Sequence, residues 1–177
     1  LKDSEIEKYG LKTFPFAIDG VAVVVNPANP VSAMTKQQLK DVFAGRITNW
    51  KELGGEDAFI SLYVREDGSG TRETFEERAL DKGTSVQSAN VVNSNGSMKT
   101  AIAQDKNAIG YVGIGHLDSG IKGITLDGMV PSQENASNGT YKVTRLLYMN
   151  TKGDPQGLTA LFIDYIYSPD GKQFIAS

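Results

Sequence analysis

The chain has 177 residues, a formal net charge of −3, and a globular composition with 40% hydrophobic and 22% charged residues. This charge argues against a nucleic-acid-binding surface, and no apolar run approaches the roughly 20 residues that a membrane-spanning helix needs. Because there is no cysteine and only one histidine, His116, disulfides, thiolate metal sites and multi-histidine metal sites are excluded, and we expect no metal or cofactor.

The first part of the chain predicts a polar helix, a buried strand and a capped helix. The polar helix covers 2–9, and the strand contains Val21–Val25, because a continuous β-branched run is typical of a strand covered on both faces. Thr35 precedes an amphipathic pattern over 36–43 and has Gln38 three residues later, which is a capping-box signature. We therefore expect a short helix that begins directly after Thr35.

The rest of the chain alternates between strand-like and helix-like patterns. In order, we predict a strand over 59–64, a helix over 72–82, a short strand at 91–92, a helix over 98–103, a strand over 108–114, a loop over 131–140, a strand over 146–150, a helix over 158–167 and a last short helix after a turn at 169–171. The clearest helix, over 158–167, has on one side Leu158, Leu161, Phe162, Tyr165 and Ile166. This alternation predicts an α/β fold with a largely parallel sheet.

The most specific local pattern lies between the strand over 59–64 and the helix over 72–82. The segment 64–72 reads Val-Arg-Glu-Asp-Gly-Ser-Gly-Thr-Arg, so a tight turn with Gly68 and Gly70 joins a strand to a helix N-terminus. The first N–H groups of a helix have no partner within the helix, and the helix dipole is positive at this end. Such a junction predicts a site for a small oxyanion.

Side chains of this segment supply the donors that an oxyanion needs. If the strand extends through 59–67, Arg65 and Asp67 point to the same face, and Asp67 holds the guanidinium of Arg65 in one orientation. A fixed guanidinium suits two parallel hydrogen bonds to a tetrahedral anion. Ser69 and Thr71 add hydroxyl donors. Because acidic neighbours make the local charge slightly negative, directed donors rather than net charge would hold the anion.

Other interpretations of the same residues remain open at this point. The segment is also compatible with an ordinary turn in which Ser69 or Thr71 caps the helix while the arginines are solvated. The segment lacks the lysine and the spacing of a Walker loop, and Asp67 stands where a nucleophile elbow has its first glycine. A phosphate-ester hydrolase that uses Ser69 is therefore the weakest alternative.

Further segments along the chain share a pattern with this motif. They occur in a fixed order and cover most of the chain, at 19–26, 43–50, 65–72, 95–98, 108–112 and 139–148. Together they resemble the phosphate-binding proteins of bacterial and archaeal ABC transporters, within the periplasmic-binding-protein superfamily. The most specific part of the resemblance combines Ile-Thr-Asn-Trp at 47–50 with Arg-x-Asp-Gly-Ser-Gly-Thr at 65–71.

The resemblance implies an α/β, two-lobed periplasmic-binding-protein-like fold of type II, with one complete and one partial lobe. The complete lobe would comprise 26–108, and the partial lobe would combine 1–25 with 109–177. By motif, the residues that look like phosphate ligands are Arg65, Ser69, Gly70 and Thr71. The supporting residues would be Asp67 as the partner of Arg65, Arg72, Asp19, and the junction formed by Asn95, Gly96 and Ser97.

The resemblance also implies a function. It indicates a non-enzymatic, extracytoplasmic protein, in the periplasm or lipid-anchored at the cell surface, which captures inorganic phosphate for the membrane permease of an ABC transporter. Alternatives on the same architecture are the binding of another tetrahedral oxyanion, such as sulfate or molybdate, and phosphate sensing.

The chain departs from the family pattern at its start. Family members carry a further βαβ segment before the position of Leu1, with a first phosphate loop and an aspartate that accepts a hydrogen bond from protonated phosphate. A site of donors alone accepts sulfate as well as phosphate. Because an incomplete sheet exposes backbone and apolar groups, we expect the isolated chain to need a separate N-terminal fragment or a second copy of the chain as cover.

Overall fold

The computed structural model describes residues 3–176. The helices are α1 (Asp3–Tyr9), α2 (Lys36–Phe43), α3 (Gly70–Arg78), α4 (Asn95–Gln104), α5 (Gln133–Ser137), α6 (Leu158–Tyr167) and α7 (Pro169–Ala176), with short 3₁₀ helices at Trp50–Leu53 and Ile114–His116. The strands are β1 (Leu11–Val25), β2 (Ala33–Met34), β3 (Ser61–Arg65), β4 (Asn90–Val92), β5 (Ala108–Gly113), β6 (Lys122–Gly123), β7 (Thr125–Leu126) and β8 (Thr144–Lys152). Lys2, which the sequence places in the first helix, lies outside the described residues.

The packing divides the chain into two compact units. The central unit is Asp19–Arg145, and the terminal unit consists, within the described residues, of 3–18 and 146–176. The chain passes from one unit to the other within β1 and within β8. These bounds differ from the lobes that the resemblance implies, and the division into lobes stays a prediction.

The main sheet runs through the central unit in the strand order β4-β3-β5-β1-β6, and β8 also pairs with β1. β3 is parallel to both β4 and β5, whereas β1 is antiparallel to β5 and to β6. The prediction of a largely parallel sheet is therefore wrong for β1. A continuous apolar run indicates cover on both faces, and it carries no information about the direction of the neighbouring strands.

The core of the central unit forms around β1. Val21–Val25 is fully buried, as its sequence predicts. Beside it the ring of Phe75 stacks on that of Tyr111 with centroids 4.0 Å apart and meets the ring of Phe43 edge-on at 4.8 Å. The capping box of α2 is also confirmed, because the Thr35 side chain accepts from the Gln38 N–H and the Gln38 side chain accepts from the Thr35 N–H.

The terminal unit contains the helix that the sequence predicts most clearly, and the bounds of α6 match that prediction. Its apolar side is nevertheless open: Leu158 is 85% exposed and Phe162 is 58% exposed, while Ile163 is buried. An amphipathic pattern identifies the side that a helix prefers to bury, but it does not identify what buries it.

Several boundaries differ from the sequence-based predictions. The strand predicted over 59–64 is β3, which ends at Arg65, and the predicted loop over 131–140 contains α5, whose first turn is capped by Ser132 accepting from the Asn135 N–H at 3.1 Å. Helix α7 starts at Pro169, a residue suited to a first helical position, although the sequence suggests a turn there. Among the described residues, no helix is both long and apolar enough to cross a membrane.

Candidate oxyanion site

Two helices of the central unit begin at one edge of the main sheet. β3 and β4 are parallel neighbours, with Arg65 opposite Val92, and β5 lies parallel on the other side of β3. The carboxyl ends of these strands therefore share an edge, and α3 and α4 follow β3 and β4 after short turns. The crevice outside such an edge is where open α/β sheets bind ligands, and both helix N-termini favour an anion there.

The turn before α3 orients its first N–H groups. Gly68 has a φ of +82°, which glycine adopts without steric cost, and the Ser69 hydroxyl accepts the Arg72 N–H at 3.3 Å. Ser69 thus caps α3, as the simpler interpretation of the sequence proposes. Capping uses an oxygen lone pair, so the Ser69 hydroxyl hydrogen can still donate. The N–H groups of Gly70 and Thr71 lie in the first turn, before intrahelical bonding begins.

Arg65 is held from several directions and is only 8% exposed. Its backbone N–H donates to the hydroxyl of Tyr111 at 3.0 Å, and burial raises the pKa of Tyr111 to about 12, so that hydroxyl stays neutral. Its guanidinium donates through Nε and Nη2 to the Glu66 carboxylate at 2.8 and 2.9 Å, and through Nη1 to Asn95 Oδ1 at 3.2 Å. The hydrogen bonds from the Arg65 guanidinium lower the pKa of the Glu66 carboxyl group.

The predicted pairing of Asp67 with Arg65 is wrong in this structure. The side chain of Asp67 is 97% exposed and accepts from Arg72 Nη1 at 2.7 Å. The carboxylate that pairs with the Arg65 guanidinium is that of Glu66. The reason is that β3 ends at Arg65, so strand alternation does not extend to Asp67. Arg72 is not a solvated charge either, because it also donates to the Arg65 carbonyl at 3.0 Å and to Glu76 at 2.8 Å.

The predicted junction at 95–97 opens α4, and the structure brings only part of it to Arg65. Asn95 is the first residue of α4 and accepts from the Arg65 guanidinium. Ser97 instead donates to Asn93 Oδ1 at 3.1 Å, and its N–H donates to the Ser94 hydroxyl at 2.9 Å. The Gly96 carbonyl accepts from Thr100 at 3.1 Å. The side-chain contacts of Ser97 thus remain around the first turn of α4.

Sequence reasoning missed Arg145. This residue pairs with Asp19, which the resemblance places near the site, through Nε and Nη2 at 3.0 and 2.8 Å from Asp19 Oδ2. Its Nη1 would lie 2.6 Å from a Cβ added to Gly70, so the guanidinium rests against the first residue of α3. The pair joins residues 126 positions apart. The one available signal was the inclusion of Arg145 in the matched segment 139–148.

Three arginines near the start of α3 are each paired with carboxylates. Arg65 pairs with Glu66, Arg145 with Asp19, and Arg72 with two carboxylates. Among the described residues, no group of three or more histidine, cysteine, aspartate or glutamate side chains is placed to hold a metal ion. This arrangement can bind an anion through directed N–H and O–H donors with little help from net charge, as the sequence suggests.

Comparisons with known proteins agree with the fold and with the motif. A family model described as a PBP superfamily domain matches residues 1–170. The chain is 37% identical over 173 residues to the phosphate-binding protein PstS of Bacillus subtilis (strain 168), covering 97% of this chain and 57% of that protein. The chain thus spans a little over half the length of this relative.

Solved structures give the same result. A phosphate ABC transporter substrate-binding protein from Clostridium perfringens, with bound phosphate, superposes with a TM-score of 0.91 at 36% identity, covering 99% of this chain and 73% of that chain. An ABC-type phosphate transport receptor from Vibrio cholerae superposes with a TM-score of 0.83 at 37% identity, covering 99% and 74%. The mixed α/β fold expected from the resemblance is confirmed, and the chain belongs to the PBP superfamily, in the family of phosphate-binding proteins of ABC transporters.

Proposed function

We propose that this chain forms part of an extracytoplasmic solute-binding protein that captures inorganic phosphate for an ABC transporter. The observation that carries the proposal is the guanidinium of Arg65, which is nearly buried and is held at the sheet edge where α3 and α4 begin. Phosphate is named for similar proteins from Bacillus subtilis and Clostridium perfringens. The membrane permease as partner and the location outside the cytoplasm belong to the same proposal.

The proposed ligand set uses the donors that the described contacts leave available. A guanidinium has five N–H donors, and Glu66 and Asn95 accept one from each of the three nitrogens of Arg65, so one N–H remains on Nη1 and one on Nη2. The Ser69 and Thr71 hydroxyls and the N–H groups of Gly70 and Thr71 complete the set. Each hydrogen bond to a charged ligand contributes about 1.5–3 kcal/mol, so a few of them support micromolar binding or better.

The proposed role is binding without chemistry. Ser69 is engaged as the helix cap, and the carboxylates of Glu66 and Asp19 are paired with Arg65 and Arg145. The relatives that the chain resembles carry names of binding and transport proteins. Incubation with a chromogenic phosphate ester checks this point, because turnover by the purified protein would contradict it.

The experiment that tests the function is calorimetric titration of the full-length protein with inorganic phosphate. We expect Arg65→Ala to weaken binding by about 100-fold or more, because it removes several charge-assisted hydrogen bonds. Arg72→Ala serves as the matched control and should cost about tenfold or less, since Arg72 binds Asp67, Glu76 and the Arg65 carbonyl. Equal affinity in the Arg65 variant would refute the ligand assignment, and competition with sulfate or molybdate at fixed pH tests the choice of anion.

A further inference from the structure

A second guanidinium lies at the same sheet edge, and the ligand set proposed above does not use it. The carboxyl end of β5 is at Gly113, which pairs with Val21 of β1, and Asp19 stands two residues before Val21. A Cβ added to Gly113 would lie 3.6 Å from Asp19 Oδ1. Asp19 and its partner Arg145 are therefore located where the parallel strands end.

The orientation of Arg145 is set from two sides. Asp19 Oδ2 accepts from both Nε and Nη2, and Nη1 rests against the first residue of α3, where only the absence of a side chain on Gly70 leaves room for it. Asp19 accepts one hydrogen bond from Nε and one from Nη2 of Arg145, so both N–H groups of Nη1 are left unused by Asp19. These donors lie beside the first turn of α3, whose N–H groups are the proposed anion site.

The ion pair between Arg145 and Asp19 should contribute little to the stability of the fold. The side chains of Arg145 and Asp19 are 30% and 24% exposed, and ion pairs with access to water contribute about 0–1 kcal/mol. Building on the phosphate-binding function proposed above, we infer that Arg145 is a second arginine that contacts the bound anion and that Asp19 positions it.

This role has a consequence for the charge of the ligand. The attraction between a guanidinium and an anion scales with the anion's charge, so a second arginine favours hydrogen phosphate, a dianion, over dihydrogen phosphate, a monoanion. Among the described contacts, the charged partner of Arg145 is Asp19, and His116 lies near Gly113, with its Cδ2 3.5 Å from a Cβ added to that glycine. His116 is the one histidine of these 177 residues, so a single substitution removes the imidazole from this part of the protein.

The test is phosphate titration of the full-length protein carrying His116→Gln, with and without Arg145→Gln, at one pH below and one pH above the second pKa of phosphate. We expect Arg145→Gln to weaken binding by about 10- to 100-fold at the higher pH, the effect of one charge-assisted hydrogen bond, and by a smaller factor at the lower pH. Arg145→Lys keeps the charge and should retain the preference for the higher pH. Arg46→Gln, which breaks the exposed pair with Asp41, should stay within about twofold.

The outcomes separate this inference from the proposed function. If the unchanged protein binds no phosphate, the function and the inference both fail. If the unchanged protein binds phosphate and Arg145→Gln binds equally well, only the inference fails. A loss of the same size at both pH values would contradict the inferred preference of Arg145 for the dianion, and circular dichroism spectra of the variants check that each is folded.

Discussion

The central and terminal units of this chain differ in what covers their apolar side chains. In the central unit, β1 and an aromatic cluster lie in a continuous buried core. In the described part of the terminal unit, Ile163 is the buried apolar residue, and Leu158, Leu161 and Phe162 on the same helix are exposed. Both units contain amphipathic helices that the sequence predicts correctly, so helix formation and core formation are separate questions.

The two units should differ in how they behave outside the full-length protein. Large exposed apolar patches commonly mark surfaces that another chain or segment covers. The exposed side of α6 therefore supports the expectation that the isolated chain needs cover, either a separate N-terminal fragment or a second copy. The central unit has its own core and carries the candidate site.

The largest effect that we expect is on association of the 177-residue chain. Its α6 surface should cause self-association, measured by size-exclusion chromatography with light scattering, because burying apolar area contributes about 25 cal/mol per Å². The double variant Leu161→Ser/Phe162→Ser should reduce it. Phe59→Ser is the control, since Phe59 is an exposed aromatic of the central unit. A monomeric, non-aggregating wild-type chain would contradict the expectation that the exposed side of α6 needs cover.

The next largest effect should be a difference in stability between truncations of aromatic residues in the two units. Phe75→Ala removes a ring from the cluster with Phe43 and Tyr111, and we expect it to lower the free energy of unfolding by about 3–5 kcal/mol. Phe162→Ala in the same 177-residue chain, at a protein concentration at which light scattering finds it monomeric, should change that free energy by less than about 0.5 kcal/mol, because the ring is exposed. Urea unfolding measures both, and similar losses for the two variants would mean that α6 is covered after all.

The smallest effect that we expect is the loss of stability when the N-cap of α2 is removed. Thr35→Ala removes the cap of α2 and should cost about 1 kcal/mol. The matched control is Thr84→Ala, at an exposed position outside helices and strands. By contrast, α6 has Gly157 at its N-cap with no side-chain hydrogen bond. A shift of the urea midpoint in the control as large as in Thr35→Ala would show that the capping box contributes nothing.

The sequence predicted local features well where adjacent residues determine them. The capping box at Thr35, the bounds of α6 and the burial of Val21–Val25 were all predicted correctly. The strand–turn–helix junction at 64–72 was also correct, because glycine conformation and helix capping depend on a few neighbouring residues. Its link to phosphate came from the resemblance, which the comparisons confirmed at the level of the family.

Contacts between distant residues could not be predicted in this way. The carboxylate partner of Arg65 is Glu66 and not Asp67, because β3 ends at Arg65, two residues before Asp67, so strand alternation does not reach Asp67. The approach of Arg145 to Gly70 depends on β8 and α3 meeting in space, and no spacing in the sequence encodes it.

Most of the helices, the buried run of β1, the turn before α3 and the family could be predicted from the sequence alone. The antiparallel direction of β1, the pairs Arg65–Glu66 and Arg145–Asp19, and the exposed side of α6 became known from the three-dimensional structure. The physical reason is that backbone conformation and helix caps are set over a few residues, whereas strand direction, ion-pair partners and burial depend on segments that are distant in sequence.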